Sequence, residues 1–229
     1  MRRFEDLPED MRTPEVKEYY DCLAPRRAYR FAKRAFDIAG AAVLTGILAI
    51  PMLIIAAQIK MSSPGPVFFR QTRVTRYGKT FRIFKFRTMV TNAEAVGPQV
   101  TVGEDPRVTA VGKKLRAHRL DEIPQLFNIL AGSMTFVGTR PEVPKYAALY
   151  TPAMKATLLM PAGLTSRTSI AFKDEAQMLS AAKDPAEADR IYVREVLPRK
   201  MKYNLENLKN CSAREDLCVL FQTIGAVEK

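Results

Sequence analysis

The chain has little of what several common active sites are built from. It has one histidine, His118, which excludes a site that needs two imidazoles and argues against a Ser-His-Asp hydrolase. Its three cysteines are odd in number and are not spaced as metal ligands, which fits reduced thiols facing the cytosol. It has neither a Walker-type loop nor a G-x-G-x-x-G motif. A bound nucleotide phosphate must therefore be held by side chains or by isolated helix ends.

Positive charge, by contrast, is abundant. The 229 residues include 36 lysines and arginines against 24 acidic residues, a formal net charge of +12. Such an excess is typical of chains that meet nucleic acid, anionic lipid headgroups or phosphorylated substrates. The sequence contains no zinc-finger spacing and no aromatic-rich signature of an RNA-binding sheet, so we predict no nucleic-acid partner.

One long stretch, residues 38–57, carries no formal charge and reads IAGAAVLTGILAIPMLIIAA. As a helix it would measure about 30 Å, the thickness of the hydrocarbon core of a bilayer. Lysines and arginines flank it on both sides, whereas a spanning helix shows this enrichment on its cytoplasmic side only. Pro51 interrupts the run and removes a backbone N–H. We therefore predict a re-entrant membrane helix that breaks at Pro51 and returns to the same face.

Two other interpretations of this segment stay open: a straight single-pass helix, since transmembrane helices tolerate proline, and a buried core helix of a soluble protein. The polar leader before the segment and the lack of a small-x-small cleavage site argue against a secretory signal. Asp37 lies at the entry of the segment, where an ionised carboxylate is costly. Lys33 and Arg34 lie on the same helical face and can pair with it. Asp37 and Pro51 are thus predicted as residues of the membrane anchor.

Composition divides the chain into three predicted parts. Residues 1–27 form a polar leader, either loose or a surface helix, and residues 28–61 hold a basic amphipathic run and the re-entrant helix. The turn signal SSPGP at 62–66 opens the third part, residues 62–229, which we interpret as a cytoplasmic catalytic domain. Its length suffices for one buried core.

The predicted fold class is α+β: a mainly helical, membrane-associated domain with a small β-hairpin. Two strand-like runs, 67–71 and 80–87, flank a Tyr-Gly-Lys turn and predict the hairpin. Residues 91–106 are predicted as a polar loop. Apolar spacing predicts helices over several later stretches: 111–119, 120–130, 142–160, 174–183 and 185–208.

Two adjacent acids, Asp121 and Glu122, stand at the start of a predicted helix. One interpretation is helix capping, since Asp is a favoured N-cap and Glu in a first turn complements the helix dipole. The other is chemical, because nearby cations such as Arg116 keep a carboxylate ionised at neutral pH. An ionised carboxylate suits a covalent acceptor of a phosphoryl group, or a ligand for Mg²⁺. From the residues alone, both interpretations stay open.

Four cations, each bounded by apolar residues or turns, supply the other half of a candidate site: Lys85, Arg87, Arg116 and Arg140. The planar fork of arginine matches phosphate oxygens, and clamping those oxygens offsets charge in phosphoryl transfer. Each cation alone is also explained by contact with solvent or lipid headgroups. Their joint occurrence with the acid pair predicts a phosphate-binding site, in which Pro141 would stiffen the loop of the last arginine.

A set of short motifs gives the chain a family resemblance. The motifs are KRAFD (33–37), SPGPVFFRQ (63–71), KFRTM (85–89), DPRVT (105–109), LR (115–116), LDEIPQL (120–126) and VGTRPE (137–142). Each is weak alone, but the ordered set over about residues 30–170 is specific. On these motifs the chain resembles the bacterial sugar transferases, the small monotopic phosphoglycosyl transferases that begin polysaccharide and glycoconjugate assembly.

The resemblance implies a reaction and its residues. Such enzymes transfer a sugar 1-phosphate from a nucleoside diphosphate sugar, here expected to be a UDP-sugar, to polyprenyl (undecaprenyl) phosphate, and release UMP. By family analogy, Asp121 is the nucleophile that takes the phosphosugar, and Glu122 lies beside it in a catalytic dyad. Mg²⁺ is the implied cofactor, held at Asp121, where it neutralises the diphosphate. The family's re-entrant membrane helix, broken at a proline, maps onto Pro51.

The same resemblance implies a location at the bacterial inner membrane, with the catalytic domain on the cytoplasmic face and membrane lipid as a partner. A homodimer stays open. Two other functions also stay open: a non-catalytic membrane adaptor that retains the fold, and a membrane phosphohydrolase that uses the same acids without a covalent intermediate. The intact pair Asp121 and Glu122 argues against the adaptor.

Overall fold

The structure, a computed structural model, describes residues 1–91, 93, 105–172 and 184–227. Its α-helices are α1 (Pro14–Leu23), α2 (Arg27–Ile47), α3 (Ala49–Ser62), α4 (Ala110–Ala117), α5 (Gln125–Leu130), α6 (Pro144–Ala147), α7 (Pro152–Lys155), α8 (Arg167–Ala171), α9 (Pro185–Ile191), α10 (Leu197–Lys209) and α11 (Ala213–Val227). The strands are β1 (Phe68–Val74), β2 (Thr80–Phe86), β3 (Met134–Val137) and β4 (Ala162–Thr165). Shorter 3₁₀ turns lie before α1 and between later elements, and a π-helical turn, Tyr192–Val196, joins α9 to α10.

The described residues form a mostly helical α+β fold, as the sequence predicts. Strands β1 and β2 form the predicted antiparallel hairpin, in which Phe68 pairs with Phe86 and Val74 with Thr80. Strands β3 and β4 form a second, parallel sheet that the sequence does not predict. Each of these two strands has only four residues, too few for an alternating pattern to be recognised.

The apolar segment forms two helices, α2 and α3, which are bent by 61°. The bend lies at Leu48, one turn before Pro51, where the sequence predicts the break. Pro51 has no N–H to donate to the Ile47 carbonyl, and its ring crowds that carbonyl, so α2 ends there. No single described helix is both long and apolar enough to cross a bilayer, whereas α2 and α3 together meet that criterion by length and composition. Re-entry into a membrane therefore stays a prediction.

The N-terminal leader is folded against the rest of the chain, so the prediction of a loose leader is wrong and that of a helix is confirmed. Thr13 caps α1 by accepting a hydrogen bond from the Val16 N–H, and a proline occupies the first turn. Val16 and Leu23 of α1 are fully buried, in a cluster that includes Tyr77 and Leu208. A few well-spaced apolar side chains are therefore enough to fold this polar segment.

The predicted pairing of Asp37 with Lys33 or Arg34 is wrong for the described residues. Asp37 is 3% exposed, and its Oδ1 accepts a hydrogen bond from the Phe136 backbone N–H of β3 at 3.0 Å. Lys33 instead pairs with Asp216 of α11 at 2.8 Å. Arg34 donates to two carbonyls at the C-terminus of α5, where carbonyls lack helical partners and the helix dipole favours a cation.

The later helices follow the predicted pattern in part. The stretch 185–208 is helical throughout, from α9 to α10, as predicted. The stretch 142–160 breaks into α6, α7 and a 3₁₀ turn, Ala156–Leu159, because Thr151 and Pro152 start a new helix there. The helix predicted at 174–183 lies outside the described residues, as does most of the loop predicted at 91–106.

Candidate active site

The acid pair lies in a tight turn and not at the start of one long helix. Asp121 and Glu122 belong to a 3₁₀ turn that begins at Leu120, and α5 follows separately. Pro124 explains the break, because it lacks the N–H that an α-helix would direct to the Leu120 carbonyl. The Ile123 N–H reaches that carbonyl instead, at 3.3 Å.

The turn is set by the backbone of Arg119. This residue ends the connection from α4 in the left-handed region, with φ 52° and ψ 22°, a conformation that non-glycine residues seldom adopt. It reverses the chain so that the acid-pair turn packs against both α4 and β2. The acids of one segment thereby meet the cations of another.

Glu122 lies between two cations. Lys85 of β2 donates to its Oε1 at 2.8 Å, and the Arg140 guanidinium donates to both of its carboxylate oxygens. Burial alone would raise the pKa of Glu122, but the Arg140 and Lys85 charges outweigh burial and hold this pKa well below the ordinary glutamate value. Glu122 is therefore a fixed negative charge that orients two cations.

In the described part of the chain, the Asp121 carboxylate, unlike that of Glu122, is not held by a cation. It is 9% exposed, and among the described residues no other side chain donates a hydrogen bond to it. Burial raises the pKa of Asp121 above the ordinary aspartate value; Lys85 and Arg116 oppose the rise, and the Glu122 charge adds to it. Its carboxylate is thus the one of the pair that is available to a substrate.

Arg116 faces this carboxylate from α4. Its Nε donates to the Thr88 hydroxyl at 2.9 Å, which fixes the side chain. Burial lowers the pKa of Arg116, while the charges of Asp121 and Asp105 raise it. Arginine stays protonated through such a shift, so Arg116 is a partly buried cation beside Asp121.

The remaining predicted site residues have structural partners. Arg87 is buried, and its guanidinium donates to the Ser63 carbonyl at 2.7 Å and to the Pro64 carbonyl at 3.0 Å, which ties down the turn after α3. The Pro141 carbonyl accepts from Arg73 at 3.1 Å, which steadies the loop after Arg140. A substrate-binding role for Arg87 or Pro141 stays a prediction.

The carboxylates of the acid pair fit a magnesium ion that also binds a substrate. Mg²⁺ in phosphoryl-transfer sites is commonly bound through one or two carboxylates plus substrate phosphates and waters. Asp121 offers one such carboxylate, whereas both oxygens of Glu122 are engaged by cations. Within the described part of the chain, no group of three or more His, Cys, Asp or Glu side chains is placed to hold a metal alone. Asp121 would be the protein ligand of such an ion, and a magnesium site here stays a prediction.

An apolar groove of about 480 Å³ adjoins the acid pair. Its walls come mainly from α2, β3, β4 and α11, and its charged lining residues are Arg119, Glu122 and Arg140. We call it the α2–α11 groove. The sequence indicates that α11 is apolar enough to pack or to touch a membrane, but it does not single out Arg119, which stands among several cations between 113 and 119.

Comparison with known proteins decides the family. The profile described as bacterial sugar transferase matches residues 28–229. The chain belongs to this family. Among its relatives, the UDP-N-acetylgalactosamine-undecaprenyl-phosphate N-acetylgalactosaminephosphotransferase of Aeromonas hydrophila is 47% identical over 120 residues, which are 52% of this chain and 28% of that protein. The UDP-glucose:undecaprenyl-phosphate glucose-1-phosphate transferase of Caulobacter vibrioides is 44% identical over 139 residues, 55% of this chain and 51% of that protein.

A third relative is similar along most of its length. The exopolysaccharide production protein ExoY of Rhizobium meliloti is 33% identical over 211 residues, 86% of this bacterial sugar transferase and 85% of that protein. The first two relatives are longer, and the chain spans about half of their length or less. The matched region contains the acid pair and its cations, and α1 precedes it.

Proposed function

We propose that this bacterial sugar transferase moves a sugar 1-phosphate from a UDP-sugar to polyprenyl phosphate, with release of UMP. The observation that carries the proposal is the division of the acid pair. Lys85 and Arg140 hold Glu122, whereas the buried Asp121 carboxylate receives no hydrogen bond from another described side chain. Two relatives are named for transfer to undecaprenyl phosphate, which supports a polyprenyl phosphate as the acceptor.

In the first step, a carboxylate oxygen of Asp121 attacks the phosphorus that bears the sugar. The bond from this phosphorus to the UMP oxygen breaks, and UMP leaves with the electron pair. The phosphosugar stays on Asp121 as an acyl phosphate. Lys85 and Arg116, the two cations whose charges lower the pKa of Asp121, bind the phosphate oxygens and offset their charge.

In the second step, a phosphate oxygen of polyprenyl phosphate attacks the same phosphorus. The bond from phosphorus to Asp121 breaks, which frees the carboxylate and forms the polyprenyl diphosphate sugar. Two steps allow a water-soluble donor and a lipid acceptor to use one site in turn. Mg²⁺ bound by Asp121 and the diphosphate would neutralise charge on the phosphates.

We also propose that the reaction takes place at the cytoplasmic face of the inner membrane. The bent pair α2–α3 would enter the bilayer and return to the same face. Cations on both flanks of the pair support this topology. So do apolar side chains of the two helices that are more than half exposed, among them Val43, Ile47, Ile50, Leu53 and Ile54.

The test uses the full chain in lipid nanodiscs with Mg²⁺, undecaprenyl phosphate and a panel of labelled UDP-sugars. We expect UMP release together with a labelled lipid product, and mass spectrometry after donor alone should find the phosphosugar on Asp121. Asp121→Asn should lower UMP release by about a thousandfold or more, because it removes the nucleophile. Asp21→Asn, an equivalent change at an exposed position of α1, should leave UMP release unchanged.

Other outcomes would support the other functions. A protein that binds membranes but releases no product from any donor would be an adaptor. Inorganic phosphate or free sugar phosphate as the product would indicate a phosphohydrolase. Near-normal UMP release by Asp121→Asn would remove this residue from the mechanism.

A further inference from the structure

The α2–α11 groove is large and adjoins the acid pair, yet nothing in the two steps above uses its apolar walls. Resting on the proposed function, we propose that this groove seats the isoprenoid chain of the acceptor and that Arg119 binds the acceptor phosphate. Two independent observations support this assignment: the composition of the groove, and the state of Arg119.

The composition of the groove suits a hydrocarbon chain. Apolar side chains from three parts of the fold line it, among them Leu44 of α2, Leu164 of β4, and Leu220 and Ile224 of α11. A UDP-sugar carries polar groups along its whole length, and apolar walls would leave those groups without hydrogen bonds. A polyprenyl chain is apolar throughout and loses no hydrogen bonds in such a groove.

Arg119 is the cation of the groove that is free to take a phosphate. The other lining arginine, Arg140, is engaged by Glu122. Arg119 is exposed and, among the described residues, its side chain has no hydrogen-bond or ion-pair partner. Its left-handed backbone, two residues before Asp121, fixes where its side chain starts. Backbone strain of this kind clusters at ligand sites.

The expected occupant is polyprenyl phosphate and not bulk phospholipid. Polyprenyl phosphate joins one apolar chain to a phosphate monoester, which carries more negative charge than the phosphodiester of a phospholipid. Arg119, which has no acidic partner among the described residues, favours the more highly charged headgroup. Glu122, the sequence neighbour of Asp121, lines the groove together with Arg119, so a phosphate held there would lie close to the acid pair that the second step uses.

Two variants test separately how the isoprenoid chain and the phosphate of the acceptor are bound. Leu220→Trp fills the groove, and we expect it to raise the KM for a long-chain polyprenyl phosphate about tenfold while leaving the KM for a short-chain analogue unchanged. Arg119→Gln should raise the KM for both acceptors by about tenfold, because both carry the phosphate. UMP released in a single turnover without acceptor, which reports the first step alone, should stay normal in both variants.

Each variant has a matched control that makes a similar change at an exposed position of the same region. Phe221→Trp adds a tryptophan on an exposed side of α11 that does not line the groove. Lys114→Gln removes one exposed positive charge from α4. If Phe221→Trp raises the acceptor KM as much as Leu220→Trp does, the groove does not bind the isoprenoid chain. The same conclusion follows if Leu220→Trp raises the KM equally for both chain lengths. An unchanged acceptor KM in Arg119→Gln would overturn the phosphate contact.

A binding measurement keeps the inference testable without catalysis. A polyprenyl phosphate that carries a diazirine on its chain should cross-link to α2 or α11, and excess unlabelled polyprenyl phosphate should suppress the cross-link. Equal suppression by phosphatidylglycerol vesicles would reveal a general lipid site and overturn the proposal. If the wild-type chain releases UMP from none of the UDP-sugars in the panel, the proposed function fails, while the cross-link still reports what the groove binds.

Discussion

The Asp37 carboxylate accepts a hydrogen bond from the Phe136 backbone N–H at 3.0 Å, across 99 residues of sequence. This bond joins α2 to β3, and β3 leads into the loop of Arg140. Close packing reinforces it, since a Cβ atom at Gly40 would approach the Phe136 ring to 3.0 Å. The helix that is proposed to enter the membrane and the cation that holds Glu122 are thus parts of one rigid connection.

Loss of this hydrogen bond should destabilise the fold. Asp37→Ala leaves the Phe136 N–H without its acceptor, and we expect the free energy of unfolding to fall by about 1–3 kcal/mol. Asp37→Asn keeps an oxygen acceptor and should lose less. Denaturant unfolding in detergent measures both variants. Equal losses would show that the charge, and not the hydrogen bond, stabilises this position.

The Asp121 side chain, which is proposed to serve catalysis, should lower the free energy of unfolding at neutral pH. Because burial raises the pKa of Asp121, the folded chain holds this proton more tightly than the unfolded chain. Stability contributed by Asp121 is therefore full below its unfolded pKa, about 3.9, and is lost as pH rises through the higher folded value. Asp121→Asn should raise the Tm at neutral pH, and the gain should vanish in acid. A gain of equal size at both pH values would contradict this explanation.

Glu122 and Arg140 should depend on each other for stability. Arg140→Met leaves the buried Glu122 charge with Lys85 alone and should cost about 2–3 kcal/mol, less than a fully buried pair because the Arg140 side chain is 33% exposed. The double variant Arg140→Met with Glu122→Leu should recover part of this loss, since no unpaired charge remains. Denaturant unfolding of both single variants and the double variant gives the coupling energy. Additive losses would show that the pair is not coupled.

Two cysteine variants test the proposed topology. Ala28→Cys lies in the first turn of the bent pair and Met61→Cys in its last turn, and both positions are exposed. The native Cys22, Cys211 and Cys218 are first replaced by serine, because all three are free. A membrane-impermeant maleimide should label positions 28 and 61 only in inside-out vesicles. Labelling from opposite faces would establish a helix that crosses the bilayer.

The same assay tests the cause of the bend. Pro51→Ala restores the N–H that can bond the Ile47 carbonyl, so it should favour a straight continuation from α2 to α3. We expect a fraction of position 61 to become reactive from the periplasmic side. Labelling identical to that of the parent would show that packing, and not Pro51, holds the 61° bend.

Local signals account for the parts of the fold that were predicted correctly. The β1–β2 hairpin and the helix at 185–208 are each specified by spacing within one stretch of sequence. The β3–β4 sheet depends instead on pairing between Met134 and Ala162 and on close backbone approach, since a Cβ atom at Gly163 would lie 2.2 Å from the Gly138 carbonyl oxygen. Such long-range contacts leave no periodic trace in four-residue strands.

The candidate site shows the same division. Residue types and motifs identify the acids and a set of cations around them, but a cation's partner is decided by tertiary packing. Arg140 and Lys85 hold Glu122, whereas Arg87 secures a turn, and nothing in their sequence neighbourhood tells these roles apart. Sequence patterns do not single out Arg119, because its distinguishing feature is a left-handed backbone, which they do not report for arginine.

The packing of α1 affects how this protein can be shortened. The family match begins at residue 28, which suggests a convenient place to trim the chain. Removing the preceding residues would uncover Tyr77, Leu159 and Leu208, which belong to the part that matches the family and are buried in the same cluster as α1. The shortened protein would expose a new hydrophobic surface to water and would tend to self-associate. Deletion studies should therefore keep the N-terminal helix, even though the family boundary leaves it out.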